Sequence, residues 1–159
     1  MRHCSTSSIS LTIISTSVMK KVLLIIVAIC SLLGCSPKVN IDYGDSEIYT
    51  KNDIDEAIRV INTLDPSSFD VSLNNYVYMG DERATEESII EYANDLGHAK
   101  NLIGENETFT QVLILTCTYK TGKKGNARQP PNKTYNDWQI YLARLSRDSE
   151  WVFLTWGLG

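Results

Sequence analysis

From Tyr49 onward the apolar positions recur first at helical spacing and then at strand spacing. Ile54, Ala57, Ile58 and Ile61 stand at i, i+3, i+4 and i+7, which predicts a helix with one buried stripe over Lys51 to Leu64. Thr50 is placed to cap its first amides, Asp53 to return the bond from the third position, and Tyr49 to staple onto Ile54. Asp65-Pro66 ends it. A second helix is predicted from near Thr85, with Ile89, Tyr92, Ala93 and Leu96 on one stripe and Gly97 as its stop. Glu86, Glu87 and Glu91 lie at its start or on its outer side, where first-turn acids complement the helix dipole.

Between these helices Phe69, Val71, Leu73, Val77 and Met79 alternate with Asp70, Ser72, Asn74, Tyr76 and Tyr78, a strand with one apolar face and a candidate bulge at Asn74-Asn75. Thr110 to Tyr119 is the most β-prone run and is apolar on both faces through its middle, so it belongs in the centre of a sheet. Trp138 to Leu145 and Trp151 to Trp156 form a hairpin through Ser146-Arg147-Asp148-Ser149. The pattern predicts an α+β domain: N-terminal helices packed on one face of a curved, mostly antiparallel sheet of about four strands.

The densest apolar run stands apart from that domain. Val22 to Gly34 is thirteen residues long, follows Met19-Lys20-Lys21 and is closed by Cys35. A helix of that length reaches about 20 Å, short of the roughly 30 Å of bilayer hydrocarbon, so an export signal fits better than a spanning helix. Leu32-Leu33-Gly34-Cys35 resembles the lipobox of bacterial lipoproteins, although Leu33 stands where a smaller or β-branched residue is usual. Cys30 follows Ile29 and does not fit. The resemblance implies that the Cys35 thiol takes a diacylglyceryl group, with long acyl chains such as palmitate, and becomes the N-terminus on the extracytoplasmic face of the cell membrane. Residues 1–18 lie upstream of a complete signal and are expected to be a gene-model extension, with the true start at Met19. The expected organisation is then a signal peptide over 19–34, a tether over 35–45 and a single domain over 46–159.

Charge narrows the partners. The whole chain is formally −4, and residues 35–159 carry 12 basic and 19 acidic side chains, or −7. A balance of that sign argues against a nucleic-acid partner, which requires a basic surface to displace counterions. Five of the cations fall in Lys120 to Tyr135, a connection long enough to be a recognition loop for an anionic partner or simply a solvated link between strands.

Catalytic chemistry finds little purchase. After export only Cys35, Cys117 and His98 could serve as Cys or His ligands or nucleophiles, too few for a metal centre of those residues. Cys117 lies in the most apolar strand with no activating base nearby in sequence, and His98 sits where a helix C-terminus would use it as a cap. No catalytic, metal or cofactor site is assigned.

Ser46 to Thr50, Asp53 to Ile58, Trp138 with Leu142-Ala143-Arg144, and Trp151 with Leu154 to Gly157 together resemble a family of small, functionally uncharacterised lipoproteins of mainly Gram-positive bacteria. The order of elements is also similar to the nuclear-transport-factor-2-like, or cystatin-like, cone. That resemblance implies a cavity between helices and bent sheet, with Tyr78, Trp138 and Trp156 as candidate ligand-binding aromatics and Arg144 as a polar anchor. Strand parity puts Trp138 and Arg144 on one face and Tyr141 on the other. The expected function is a membrane-anchored accessory module binding a small molecule or a surface protein. The alternatives are a small cavity-type hydrolase or isomerase using a carboxylate, and an inhibitor or immunity-type protein acting through the basic loop.

Overall fold

The computed structural model describes residues 39–158. The expected gene-model extension, signal peptide and Cys35 lipidation lie outside the described residues. The elements are β1 (Ile41–Asp42), α1 (Lys51–Thr63), β2 (Val71–Tyr78), α2 (Asp81–Thr85), α3 (Glu87–Ala99), β3 (Gln111–Thr121), β4 (Thr134–Arg144) and β5 (Val152–Leu158). They build an α+β fold on one open sheet of order β1-β2-β3-β4-β5, with β1 parallel to β2 and every other pair antiparallel. The sheet has five strands, not four. β1 supplies the fifth, within the stretch expected as a tether.

α1 begins on the capping box its sequence announces: Asp53 N donates to Thr50 Oγ1 at 3.2 Å and Thr50 N to Asp53 Oδ2 at 2.9 Å. Its buried stripe is Ile54, Ala57, Ile58 and Ile61, and Tyr49 joins the same core cluster. Each such aliphatic side chain is worth about 1.5–3 kcal/mol on burial. A 3-10 turn over Pro66–Phe69 follows and leaves Phe69 exposed instead of on the apolar face expected of it.

β2 carries the bulge at the expected asparagines, with Asn75 at φ +52° and a register shift between Asn74 and Val77. One inserted residue reverses which side chains face inward. Val71 and Leu73 are buried before it, whereas Tyr76 and Tyr78 are buried after it and Val77 is turned out to 40% exposure. The alternation read from the sequence therefore holds up to the expected bulge, and the inward face is exchanged beyond it.

α3 runs through Gly97 and stops three residues later than its end was expected. Its cap is a Schellman motif: Asn101 takes φ +54°, Leu102 N donates to Gly97 O at 2.8 Å and Asn101 N to His98 O at 3.0 Å. Gly97 is required for another reason, because a Cβ there would lie 2.6 Å from Phe109 Cε2 and 3.0 Å from Ile103 Cδ1. The helix is also preceded by the separate short helix α2.

β3 is central, and its two faces explain the largest departure from expectation. Leu113, Leu115, Cys117 and Tyr119 pack toward α1, whereas Val112 and Ile114 join Ile89 and Ala93 of α3 in a second cluster. The two long helices cover opposite faces of the sheet, not one, and they are interleaved with β1 and β2 instead of being grouped before the strands. A strand apolar on both sides demands cover on both sides. At the far end the β4–β5 connection closes as expected, with Ser149 N donating to Ser146 O at 3.1 Å.

Candidate functional site

Arg144 ends β4 on the α1 face and is 2% exposed. Nη1 lies 2.9 Å from Asp53 Oδ1, and Nε donates to Gln111 Oε1 at 2.6 Å. The guanidinium lies over the Trp151 ring at 4.3 Å from its centroid and over the Tyr49 ring at 5.9 Å. Nη2 is buried and has no hydrogen-bond partner among the described residues, as is the case for Trp151 Nε1. Burial pushes the Asp53 carboxyl upward, but hydrogen bonds from the Thr50 hydroxyl and amide and from Arg144 outweigh it, holding the group below its ordinary range. The helix cap of α1 is thus also the counter-ion of a buried arginine. Tyr49 closes the cluster by donating its hydroxyl to Val112 O at 2.9 Å, and burial pushes its phenol up to about 12.

The other three residues expected to line a cavity share this face. Tyr78 is buried, packs edge-on against Tyr49 and donates to Asp81 Oδ1 at 2.9 Å. Trp138 is buried and stacks on Tyr119 at 4.3 Å. Trp156 is half-buried, with its ring edge-on to both Tyr119 and Phe153. The four therefore fall into two pairs: Tyr78 and Arg144 share Tyr49, and Trp138 and Trp156 share Tyr119. Trp138 and Arg144 lie on the face that parity predicted, with Tyr141 on the other.

Open space lies at the rims of the sheet. One cleft of about 470 Å³, where α2 and α3 meet β4 and β5, is lined by Arg83, Tyr92, Gln139, Tyr141, Thr155 and Trp156 among others. Tyr92 is 44% exposed, not part of the buried stripe where its spacing put it. It meets Tyr141 edge-on at 5.8 Å, and Tyr141 in turn donates to Gln139 Oε1 at 2.6 Å. Arg83 pairs with Glu86 at the surface. A second cleft of about 400 Å³ is lined by Tyr43, Ser46, Glu47, Tyr49 and Lys51 among others. Arg83, Tyr92 and Gln139 are among the cleft residues that sequence reasoning missed. The available signal for Tyr92 was its place at the border of the α3 stripe, beside Ala93, where a ring can leave the core without breaking the helix pattern.

The reactive groups are placed as follows. Cys117, the free cysteine of the described residues, is buried, and desolvation pushes its thiol up to about 12. It faces α1, whereas His98 ends the helix on the opposite face, so the sheet stands between the two. The caps of α3 use the His98 carbonyl. Burial pushes the Asp81 carboxyl upward, but the Ser46 hydroxyl, the Glu47 amide and the Tyr78 hydroxyl outweigh it and hold the group low. Among the described residues no three His, Cys, Asp or Glu side chains are grouped to hold a metal ion, and no helix is long and apolar enough to cross a membrane. Comparison with known proteins gives no match to a family model, a curated protein or a solved structure.

Proposed function

We propose that the chain is a lipid-anchored extracytoplasmic protein whose folded domain is a binding module, with the cleft of Arg83, Tyr92, Gln139 and Tyr141 as its ligand site. The anchor is supported by Met19-Lys20-Lys21, the thirteen-residue apolar run and Leu32-Leu33-Gly34-Cys35. The observation that carries the binding site is the Tyr92–Tyr141 pair, left partly exposed beside a guanidinium and the Gln139 amide. Aromatic faces and neutral hydrogen-bonding groups beside Arg83, which Glu86 pairs at the surface, suit a small ligand with an apolar ring face and an anionic group that competes with Glu86 for the guanidinium. The resolved carboxyl shifts, at Asp53, Asp81 and Glu86, all run downward, which favours binding over acid catalysis by those groups.

Two experiments test this reading. Cells fed an alkyne fatty acid should label the wild-type chain and not Cys35→Ala; equal labelling of both removes the anchor. An NMR screen with aromatic carboxylate fragments should move the Tyr92, Gln139 and Tyr141 resonances, with the shifts lost in Arg83→Gln. Fragments that bind only elsewhere, or none binding at all, remove the ligand site.

A further inference from the structure

We infer that the basic hairpin tip between β3 and β4 is a second membrane contact, which seats the domain on anionic phospholipid headgroups beside its own anchor. The inference rests on the lipid-anchor reading for its geometry, and three independent observations converge on it.

The first is charge. No acid occurs between Glu107 and Asp137, a stretch that holds Lys120, Lys123, Lys124, Arg128 and Lys133. All five are exposed, and none belongs to an ion pair among the described residues. The rest of residues 35–159 carries 7 basic and 19 acidic side chains; with the Asp70 carboxylate, which lies against the loop, the tip is +4 on a body of −11. Near an anionic surface such a molecule turns its tip inward and its body outward.

The second is rigidity. Thr121 Oγ1 donates to Pro130 O and accepts from Lys133 N, both at 2.8 Å, while Asn126 Nδ2 donates to the Tyr119 hydroxyl at 2.9 Å. From outside the loop, Asp70 receives Lys124 N at its carboxylate and Gly122 N at its carbonyl, each at 2.7 Å. The cations are therefore carried on a fixed backbone, so little ordering cost is added when they meet a surface.

The third is direction. Val71, the first residue of β2, lies opposite Thr121, which places the start of β2 at the hairpin tip. β1 runs parallel to β2 with Ile41 opposite Tyr76, so the chain followed backward from Ile41 heads along β2 toward Val71. The polypeptide enters the domain from the end that bears the five cations. Cys35 precedes Val39 by four residues, a reach of about 14 Å at most. On the lipid-anchor reading, a chain that enters the domain from the tip end favours the headgroups of the anchoring membrane over an acidic protein.

The test uses the full chain carrying Cys35→Ala, with and without Lys123→Gln, Lys124→Gln and Arg128→Gln, sedimented with phosphatidylcholine vesicles or with vesicles one-third phosphatidylglycerol. The readout is the ratio of anionic to neutral partitioning, because the leader is the same in both chains. Each cation near an anionic surface is worth about fivefold in partitioning, so the triple substitution should lower the ratio about a hundredfold, and high salt should abolish the difference. Equal ratios for the two chains overturn the inference, including the case in which the substitutions instead abolish cross-linking to an acidic protein. Unchanged tryptophan fluorescence checks that the exposed substitutions leave the fold intact. The lipid anchor is judged separately, by the mass of the Cys35 peptide from cells, so either reading can fail while the other stands.

Discussion

Replacing Asp53 measures how much of the fold depends on the buried Arg144 ion pair. Breaking a buried pair from one side costs about 3–5 kcal/mol, because the remaining charge is left uncompensated. Loss of the Asp53 half of the capping box adds up to about 1 kcal/mol, the Thr50 cap itself being kept. Asp53→Ala removes both and should cost about 4–6 kcal/mol, whereas Asp53→Asn keeps an oxygen for the Thr50 amide and should cost about 3 kcal/mol. Arg144→Met should be milder, about 1–2 kcal/mol, since it removes the buried charge and the unpartnered Nη2 while Asp53 keeps its hydrogen bonds from Thr50. The double variant Asp53→Asn/Arg144→Met should then be more stable than the sum of the singles predicts, by about 2 kcal/mol of coupling. Urea unfolding followed by tryptophan fluorescence reads this directly, because Trp151 lies under the guanidinium. The pH dependence has a definite sign. The folded Asp53 carboxyl ionises below its ordinary value, so its contribution is complete above the unfolded carboxyl pKa of about 4 and is lost as pH falls through the lower folded value. Wild-type stability should therefore fall more steeply below about pH 4 than that of Asp53→Asn. If Asp53→Asn costs under about 1 kcal/mol, or the two substitutions simply add, the pair is worth no more than a surface one and the reasoning fails.

Two further outcomes are expected. Gly97→Ala gains about 1 kcal/mol of helix propensity but forces a contact with Phe109 and Ile103 costing about 1–3 kcal/mol, so thermal unfolding should occur at lower temperature, with much of the loss recovered on a Phe109→Leu background. At neutral pH Cys117 should resist iodoacetamide in the native protein and react once urea is added, as read by peptide mass; equal native and unfolded rates would contradict its burial.

The elements that were legible in the sequence are those specified by neighbours in the chain. Thr50 with Asp53, the Asn74-Asn75 bulge and the Ser146 to Ser149 turn are local chemistry, and each is found in place. The doubly apolar middle of β3 was equally plain, and its consequence, a helix on each face, follows from it. What could not be read depends on partners far along the chain. Asp53 and Arg144 are 91 positions apart, so the counter-ion of an arginine at the end of a strand could not be read from its neighbours. Gly97 looked like a helix stop because its close contact, Phe109, belongs to another segment. The bulge was visible, but its reversal of Tyr76 and Tyr78 required knowing that the ladder resumes beyond it. β1 is two residues long, too short to carry any period.

The parallel seating of β1 also determines how the domain responds to mechanical load. A pull on the chain ahead of residue 39 runs along the strand axis and strains the short β1 ladder in shear. Behind it two clasps take the force next: the Tyr43 hydroxyl on Asp55 at 2.8 Å and the Ser46 hydroxyl on Asp81 at 2.5 Å. Residues 41 to 48, once drawn straight, span about 25 Å, and the run ends at Tyr49, which is held in the core. The entry segment is a reel in front of the core: by giving up β1 it lets the globule ride farther from whatever holds the upstream chain while β2 to β5 and the two long helices stay whole.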